Sequence, residues 1–176
     1  VVKFEAAQKK EIELGYPFPF DAYSTDDFNY YFLVPIENYA GIDALNKVES
    51  EWAAKIGPAY QALMKSVEGT FDYYRPEVVR FIPELSYVPK SPRLKPEETN
   101  FLVWYFGYVE FGKEKEWADI CKQWIDLCTS KNLPDGWNMF VMESGRDLPL
   151  YVWVESGKSA ADFYAESEKT VAAIGE

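Results

Sequence analysis

The sequence predicts an α+β fold in which antiparallel strands pack against helices. Residues 100–174 read in succession as strand, helix, strand, turn, strand and helix. The strand at residues 101–109 is apolar on both of its faces, whereas a strand with one solvated face would alternate apolar and polar residues. A similar strand followed by a helical pattern lies at residues 28–36. We therefore expect two related halves whose strands are covered on both sides.

The helix of the second half begins after Gly112, where the apolar period changes. From Trp117 to Cys128 the apolar residues recur at helical spacing. Glu114 and Glu116 lie in the expected first turn, where negative charge complements the helix dipole. The breaker-rich residues 129–136 are expected to end this helix.

The remainder of the second half predicts a hairpin and a closing helix. Strands at 137–143 and 149–155 flank a turn at 144–147. Ser159 is the expected N-cap of the last helix, with Asp162 three residues further on. The inner face of that helix should carry four apolar residues, namely Phe163, Tyr164, Val171 and Ile174. This βαββα order is that of a ferredoxin-like half without its last strand.

The first half repeats this pattern imperfectly. Aligning Tyr31 with Trp104 also aligns Glu37 with Glu110. The helical stripe that follows is interrupted at Gly57-Pro58, which predicts a kink or a break between two helices. Short strands are then expected at residues 71–74 and 77–82. The complete prediction is an approach segment at 1–27 with an extended Tyr/Pro/Phe run, a degenerate half at 28–88, a Pro-rich linker at 89–99 and a second half at 100–176.

With these features the chain resembles the dimeric α/β-barrel superfamily, which consists of ferredoxin-like folds and includes antibiotic-biosynthesis-monooxygenase-like and stress-response domains. The resemblance is carried by the element order of residues 100–174, the echo at 28–67 and the strands that are apolar on both faces. In that family two sheets close face to face with helices outside. The resemblance therefore implies a pseudo-dimeric or true dimeric barrel. Its members range from cofactor-free oxygenases and haem-handling enzymes to proteins with no known activity, so it implies no single reaction.

Charge and composition exclude several classes of partner. Eighteen Lys and Arg against 29 Asp and Glu give a net charge of −11, which opposes binding to nucleic acid or to an anionic membrane. No apolar run approaches the roughly 18 residues of a membrane span. The sequence begins Val-Val-Lys rather than Met, which favours an exported protein from which an upstream segment has been removed.

The chain contains no histidine. His-based triads, His-ligated zinc and a haem-binding histidine are thereby excluded. Cys121 and Cys128 lie in the apolar helix stripe, without a neighbouring Cys or His, and are expected to be structural. No phosphate-binding glycine loop occurs. We therefore predict no metal and no cofactor.

Carboxylates at the ends of predicted strands have two alternative roles, as acid/base groups or as side chains that are simply solvated. Glu110, Glu143 and Glu155 hold such positions, and a buried Glu can act as a general base without histidine. Arg80, between two apolar residues of its strand, either anchors an anion or sits on an exposed edge.

Strand parity predicts which side chains line an interior. Leu150, Val152 and Val154 form a face suited to helices, which leaves Tyr151, Trp153 and Glu155 on the opposite face. The predicted pocket accordingly combines aromatic and polar side chains, namely Tyr31, Arg80, Trp104, Tyr108, Glu143, Tyr151 and Trp153.

Two functions follow from this pocket. The first is a ligand-binding or accessory barrel domain that takes a small apolar or aromatic molecule and forms a homodimer. The alternative is a cofactor-free monooxygenase or isomerase acting on a small aromatic compound. An aromatic content of 18% also admits a carbohydrate platform.

Overall fold

A computed structural model describes residues 2–26 and 29–175. The chain divides into two compact units, residues 1–74 and 75–176. Asp27 and Phe28 lie outside the described residues, and Phe28 is the first residue of the predicted strand at 28–36.

The first unit is mainly helical. Its elements are α1 (Val2–Glu13), β1 (Asp21–Ser24), β2 (Tyr30–Leu33), α2 (Ala40–Ile56) and α3 (Pro58–Val67). Strands β1 and β2 pair antiparallel. The predicted break at Gly57-Pro58 is confirmed: Gly57 has a positive φ of 42°, and Pro58 opens α3 at the position where its missing N–H costs nothing.

Trp52 of α2 is the centre of the first unit. It is buried with Ala7 and Leu63, and its Nε1–H donates to the Leu14 carbonyl at 3.0 Å. The Tyr16 ring packs edge-on against Trp52, with centroids 5.3 Å apart. The predicted extended run thus does pack its aromatic rings onto the domain. Residues 2–13 of the predicted approach segment, for which the sequence indicates no element, form helix α1.

The second unit contains the predicted βαββα run. Its elements are β3 (Val78–Phe81), β4 (Phe101–Tyr108), α4 (Glu114–Lys131), β5 (Trp137–Ser144), β6 (Leu150–Gly157) and α5 (Ala160–Ile174), with short 3₁₀ turns at Pro83–Leu85 and Pro96–Glu98. The sheet has the order β3-β5-β6-β4, and all of its neighbouring strands are antiparallel. The fourth strand, β3, therefore precedes the βαββα run instead of following it.

The predicted caps and helix limits of the second unit are largely confirmed. The Asp162 backbone N–H donates to Ser159 Oγ at 3.2 Å, and α4 ends at Asn132, which has a left-handed φ of 51°. The predicted inner face of α5 is partly wrong. Phe163 is buried, but Tyr164 and Val171 are exposed, because they lie one position further around the helix than the stripe that faces the sheet.

The structure does not confirm an internal duplication. Strand β2 has four residues and pairs with β1, whereas β4 has eight residues and pairs with β6 in a four-stranded sheet. Residues 71–74, predicted as a strand, contain none. Within the described residues the strands form two open antiparallel sheets and no closed barrel.

The Pro-rich segment at 89–99 belongs to the second unit, and the division between units lies earlier, after residue 74. Arg93 fastens the segment to two other parts of the unit. Its Nε is 2.9 Å from Asp135 Oδ1, and its Nη1 is 2.9 Å from Asp162 Oδ1. These partly buried, charge-assisted contacts attach the segment to the rest of the second unit.

Tyr87 closes the end of α4. The residue is buried, and its hydroxyl donates to the Leu133 carbonyl at 2.8 Å, with the Cys128 carbonyl at 3.2 Å. The Cys128 carbonyl, in the last turn of α4, also accepts the backbone N–H groups of Asn132 and Leu133. The Leu133 carbonyl, just after the cap, is therefore the one that depends on the Tyr87 hydroxyl.

We predict that Tyr87→Phe lowers the free energy of unfolding by about 1–2 kcal/mol, because the Leu133 carbonyl of a buried residue then loses its hydroxyl donor. Urea denaturation monitored by circular dichroism measures this change. Tyr164→Phe, at an exposed tyrosine of α5, is the control and should stay within about 0.5 kcal/mol of the unchanged protein. Equal effects of the two variants would contradict the role given to Tyr87.

Candidate functional site

The helix-covered face of the second-unit sheet carries a connected group of aromatic rings. Trp117 of α4 packs against Tyr151 and Trp153, with centroids 5.8 and 5.9 Å apart. Trp153 in turn stacks on Tyr105, at 5.0 Å and an interplanar angle of 11°. We call these four residues, Trp117, Tyr151, Trp153 and Tyr105, the helix-side cluster.

This arrangement corrects the predicted strand parity. Tyr151 and Trp153 face α4, and the face assigned to the helices, with Leu150, Val152 and Val154, is the opposite one. Both faces of β6 are apolar, so hydrophobicity alone cannot distinguish them. The distinction comes from shape: Gly107 lies beside Tyr151 in the register, and a Cβ there would be 3.0 Å from the Trp153 ring. The glycine leaves room for the large rings on the helix side.

The predicted pocket residues divide between the two faces. Trp104 pairs with Val154, and Tyr108 pairs with Leu150, so both lie across the sheet from Tyr151 and Trp153. The strands alone build an apolar cluster on that opposite face, from Met142, Leu150 and Val152 with Trp104, Phe140 and Val154 around them. We call this face the strand-only face. Tyr31 belongs to the first unit, where it pairs with Tyr23.

Arg80 and Glu143 join the helix-side cluster at its edge. Arg80, Val141 and Tyr151 form one row across three neighbouring strands, so their side chains share a face. Arg80 Nε is 2.6 Å from Glu143 Oε1, and the two side chains are 60% and 27% exposed. Such an open ion pair contributes little to stability. It does place a guanidinium and a carboxylate beside the rings. The structure thus brings together Arg80, Glu143, Tyr151 and Trp153 of the predicted pocket.

Glu155 is a carboxyl group with an altered pKa on this face. It lies in register with Val103 and Trp137. Burial raises the pKa of its carboxyl group, and the nearby Asp135 raises it further. Glu155 forms no ion pair with the residues that the structure describes. Burial also raises the pKa of Tyr105, with Glu155 as the next contribution. A carboxyl group in this setting can hold a proton closer to neutral pH than an ordinary Glu.

Trp117 contributes an unsatisfied donor. Its Nε1–H is buried and has no hydrogen-bond acceptor among the residues that the structure describes. Buried donors are normally paired, so this N–H can serve an acceptor brought by a ligand. The helix-side cluster therefore combines flat apolar surfaces, an available N–H, a carboxyl group with a raised pKa and a guanidinium at the edge.

The cysteines and carboxylates show no other reactive arrangement. Cys121 and Cys128 are buried and free, and burial raises the pKa of both thiols, which disfavours the reactive thiolate. In residues 2–26 and 29–175 no group of three or more Cys, Asp or Glu side chains is placed to hold a metal ion. The helices of the described chain are all too short or too polar to cross a membrane.

Comparison with known proteins finds a solved structure of similar fold and assigns no family. No family model and no curated protein matches the sequence. The structure is similar to a crystal structure from Fusobacterium nucleatum subsp. nucleatum ATCC 25586, with a TM-score of 0.53. That protein is called a "Putative monooxygenase". The sequences are 13% identical, and the match covers 95% of this chain and 73% of that chain. At this identity the likeness shows a shared α+β fold alone. It establishes neither the barrel superfamily nor a duplication.

The sequence does not single out Trp117 as a site residue. Its spacing places it correctly in the apolar stripe of α4, but its contact with Tyr151 and Trp153 depends on which face of β6 meets the helix. The available signal was Gly107, a glycine inside an otherwise bulky strand, which commonly marks a close approach.

We predict that Glu155→Gln stabilises the protein more at pH 7.5 than at pH 4. The raised pKa means that the folded state binds more protons than the unfolded state between the ordinary Glu pKa and the raised value. Stability therefore falls as the pH rises through that window. A glutamine does not titrate, so Glu155→Gln removes this loss of stability at higher pH. Urea denaturation at the two pH values measures the difference, with the exposed Glu110→Gln as control. A pH-independent difference for Glu155→Gln would contradict the prediction.

Proposed function

We propose that the second unit binds a small, planar, largely apolar molecule at the helix-side cluster. The observation that carries this proposal is the unsatisfied Trp117 Nε1–H beside the stacked rings of Trp153 and Tyr105. A planar ligand can stack on such rings and accept a hydrogen bond from the indole. Arg80 and Glu143 provide the polar edge that orients it.

A second candidate is a cofactor-free monooxygenase or isomerase that uses the same cluster. The specific observation in its favour is Glu155, because a carboxylate with a raised pKa is a better proton acceptor than an ordinary Glu. In this mechanism Glu155 takes a proton from an acidic C–H of an aromatic substrate, and an isomerase returns it to another carbon of the resulting carbanion. In a monooxygenase a CH2 carbon of the substrate would reduce dioxygen: the O–O bond breaks, one oxygen stays on that carbon as a carbonyl, and the other leaves as water with the two hydrogens of the carbon. The structural neighbour's description as a monooxygenase agrees with this candidate.

Carbohydrate binding receives less support. A sugar needs hydrogen-bond partners for several hydroxyl groups, and the polar groups named at the helix-side cluster are few, namely the Trp117 indole N–H, the Arg80–Glu143 pair and Glu155.

We predict saturable binding of 1-naphthol or 1,4-naphthoquinone by isothermal titration calorimetry. Trp117→Phe should weaken binding by about tenfold, because it removes a buried hydrogen bond of about 1–1.5 kcal/mol. Trp124→Phe, on the same helix but 48% exposed, is the matched control and should leave binding unchanged. Equal effects of the two variants, or no saturable binding, would exclude the cluster as the site.

The same compounds discriminate the two candidates. Oxygen consumption or a changed product that disappears in Glu155→Gln, while binding persists, supports the enzyme. Saturable binding without turnover supports the ligand-binding domain.

The strand-only face supports the predicted homodimer and barrel. Phe81, Phe106 and Tyr108 on this face are each more than a third exposed, beside the buried Leu150 and Val152. Apposition of this face with that of a second copy would bury these rings, which is favourable in proportion to the apolar area removed from water.

We predict that the protein sediments as a dimer and that Tyr108→Lys shifts it to the monomer, because the new charge would be buried without a partner. Sedimentation velocity over a concentration series measures the mass. Tyr164→Lys, at an exposed position of α5, should remain dimeric. A monomeric unchanged protein would remove the proposal of a dimeric barrel.

A further inference from the structure

The first unit contains a recess that the helix-side cluster does not involve. It has a volume of about 300 Å³ and lies where the start of α1, strand β2 and the residues after α3 come together. Six residues line it, namely Val2, Lys3, Phe4, Tyr30, Thr70 and Phe71. This volume is at the lower end of the range for small-molecule sites.

Aromatic rings form the walls of the recess. Phe4 packs on Tyr30 with centroids 4.5 Å apart. Phe71 meets Phe4 edge-on at 5.9 Å and Tyr30 at 6.3 Å. The three rings come from three separate segments of the unit, so the concave surface is produced by the fold. Rings at these distances accept a further ring in an edge-on or offset arrangement.

The polar groups at the recess are donors. Lys3 is exposed, and its ammonium forms no ion pair within residues 2–26 and 29–175. The Tyr30 hydroxyl likewise has no hydrogen-bond partner in the described part of the chain. The Thr70 hydroxyl is already engaged, since it donates to the Val67 carbonyl at 2.6 Å. The ligand group that complements a free ammonium and a free hydroxyl is an anion.

We propose that this recess binds a small aromatic carboxylate. Its ring packs among Phe4, Tyr30 and Phe71, and its carboxylate pairs with the Lys3 ammonium and accepts from the Tyr30 hydroxyl. The chain carries a net charge of −11 and repels anions over most of its surface. The Lys3 ammonium is therefore required for binding of the carboxylate. An uncharged analogue is expected to bind without a contribution from Lys3.

The proposal is tested by ¹⁹F NMR titration of the full chain with 4-fluorobenzoate, and with 4-fluorobenzamide as the uncharged isostere. We expect saturable broadening of the benzoate signal. Lys3→Gln should weaken benzoate binding by about fivefold, the effect of losing one partly solvated ion pair. Lys9→Gln, also exposed on α1, should not weaken it. Phe71→Ala should reduce binding of both compounds, and since Phe71 is 46% exposed the unit should remain folded.

Three results would overturn the proposal: no saturable binding of 4-fluorobenzoate, equal effects of Lys3→Gln and Lys9→Gln, or an unchanged affinity in Phe71→Ala with unchanged circular dichroism. Trp117→Phe separates this site from the one in the second unit. It should leave 4-fluorobenzoate binding unchanged, and a loss in that variant would assign the binding to the helix-side cluster instead.

Discussion

Strand β6 has to bury both of its faces, and the second unit is arranged around that requirement. Leu150 is fully buried on one face, and Tyr151 is 8% exposed on the other. One face is covered by α4, whose Trp117 enters the group formed by Tyr151 and Trp153. The other is covered by neighbouring strand side chains, among them Trp104 and Phe140. Strands β4 and β5 pair with the two edges of β6, so the backbone N–H and C=O groups of this buried strand are hydrogen-bonded as well.

Arg93 forms two ion pairs in the second unit. It joins the segment before β4 to Asp135, ahead of β5, and to Asp162, in the first turn of α5. The pKa of Asp162 is lowered, first by the Lys158 backbone N–H and then by Arg93. Because Arg93 fixes the Asp135 carboxylate in place, it also fixes a negative charge near Glu155. The proton affinity of Glu155 is thus linked to the ion pairs that hold the unit together.

Most of the second unit could be predicted from sequence, because each of its elements has a clear local signal. The stripe from Trp117 to Cys128, the breakers after it and the Ser159 cap specify α4 and α5 within a few residues. Helix α1 could not be predicted in the same way. Its apolar residues, Val2, Phe4, Ala6, Ala7 and Ile12, do not form a continuous stripe at helical spacing. The helix is held by contacts such as that of Ala7 with the Trp52 cluster. Tertiary packing, and not local pattern, decides such a segment.

The candidate site was predictable in composition but not in grouping. Arg80, Glu143, Tyr151 and Trp153 share one face of the sheet, while Trp104 and Tyr108 lie on the other. Assigning the wrong face of β6 to the helices exchanges all of its predicted neighbours, and the sequence pattern does not distinguish the two faces.

In a chain without histidine, proton transfer near neutral pH depends on carboxyl groups with a raised pKa, and burial produces these at Glu11 and Glu155. Glu11 lies near the hydrogen-bonded pair of Tyr16 and Glu49, so it belongs to the packing of the first unit. Glu155 has no such pair and lies beside the stacked rings. A reaction would therefore depend on one residue, whereas ligand binding draws on several. For this reason we place binding before catalysis.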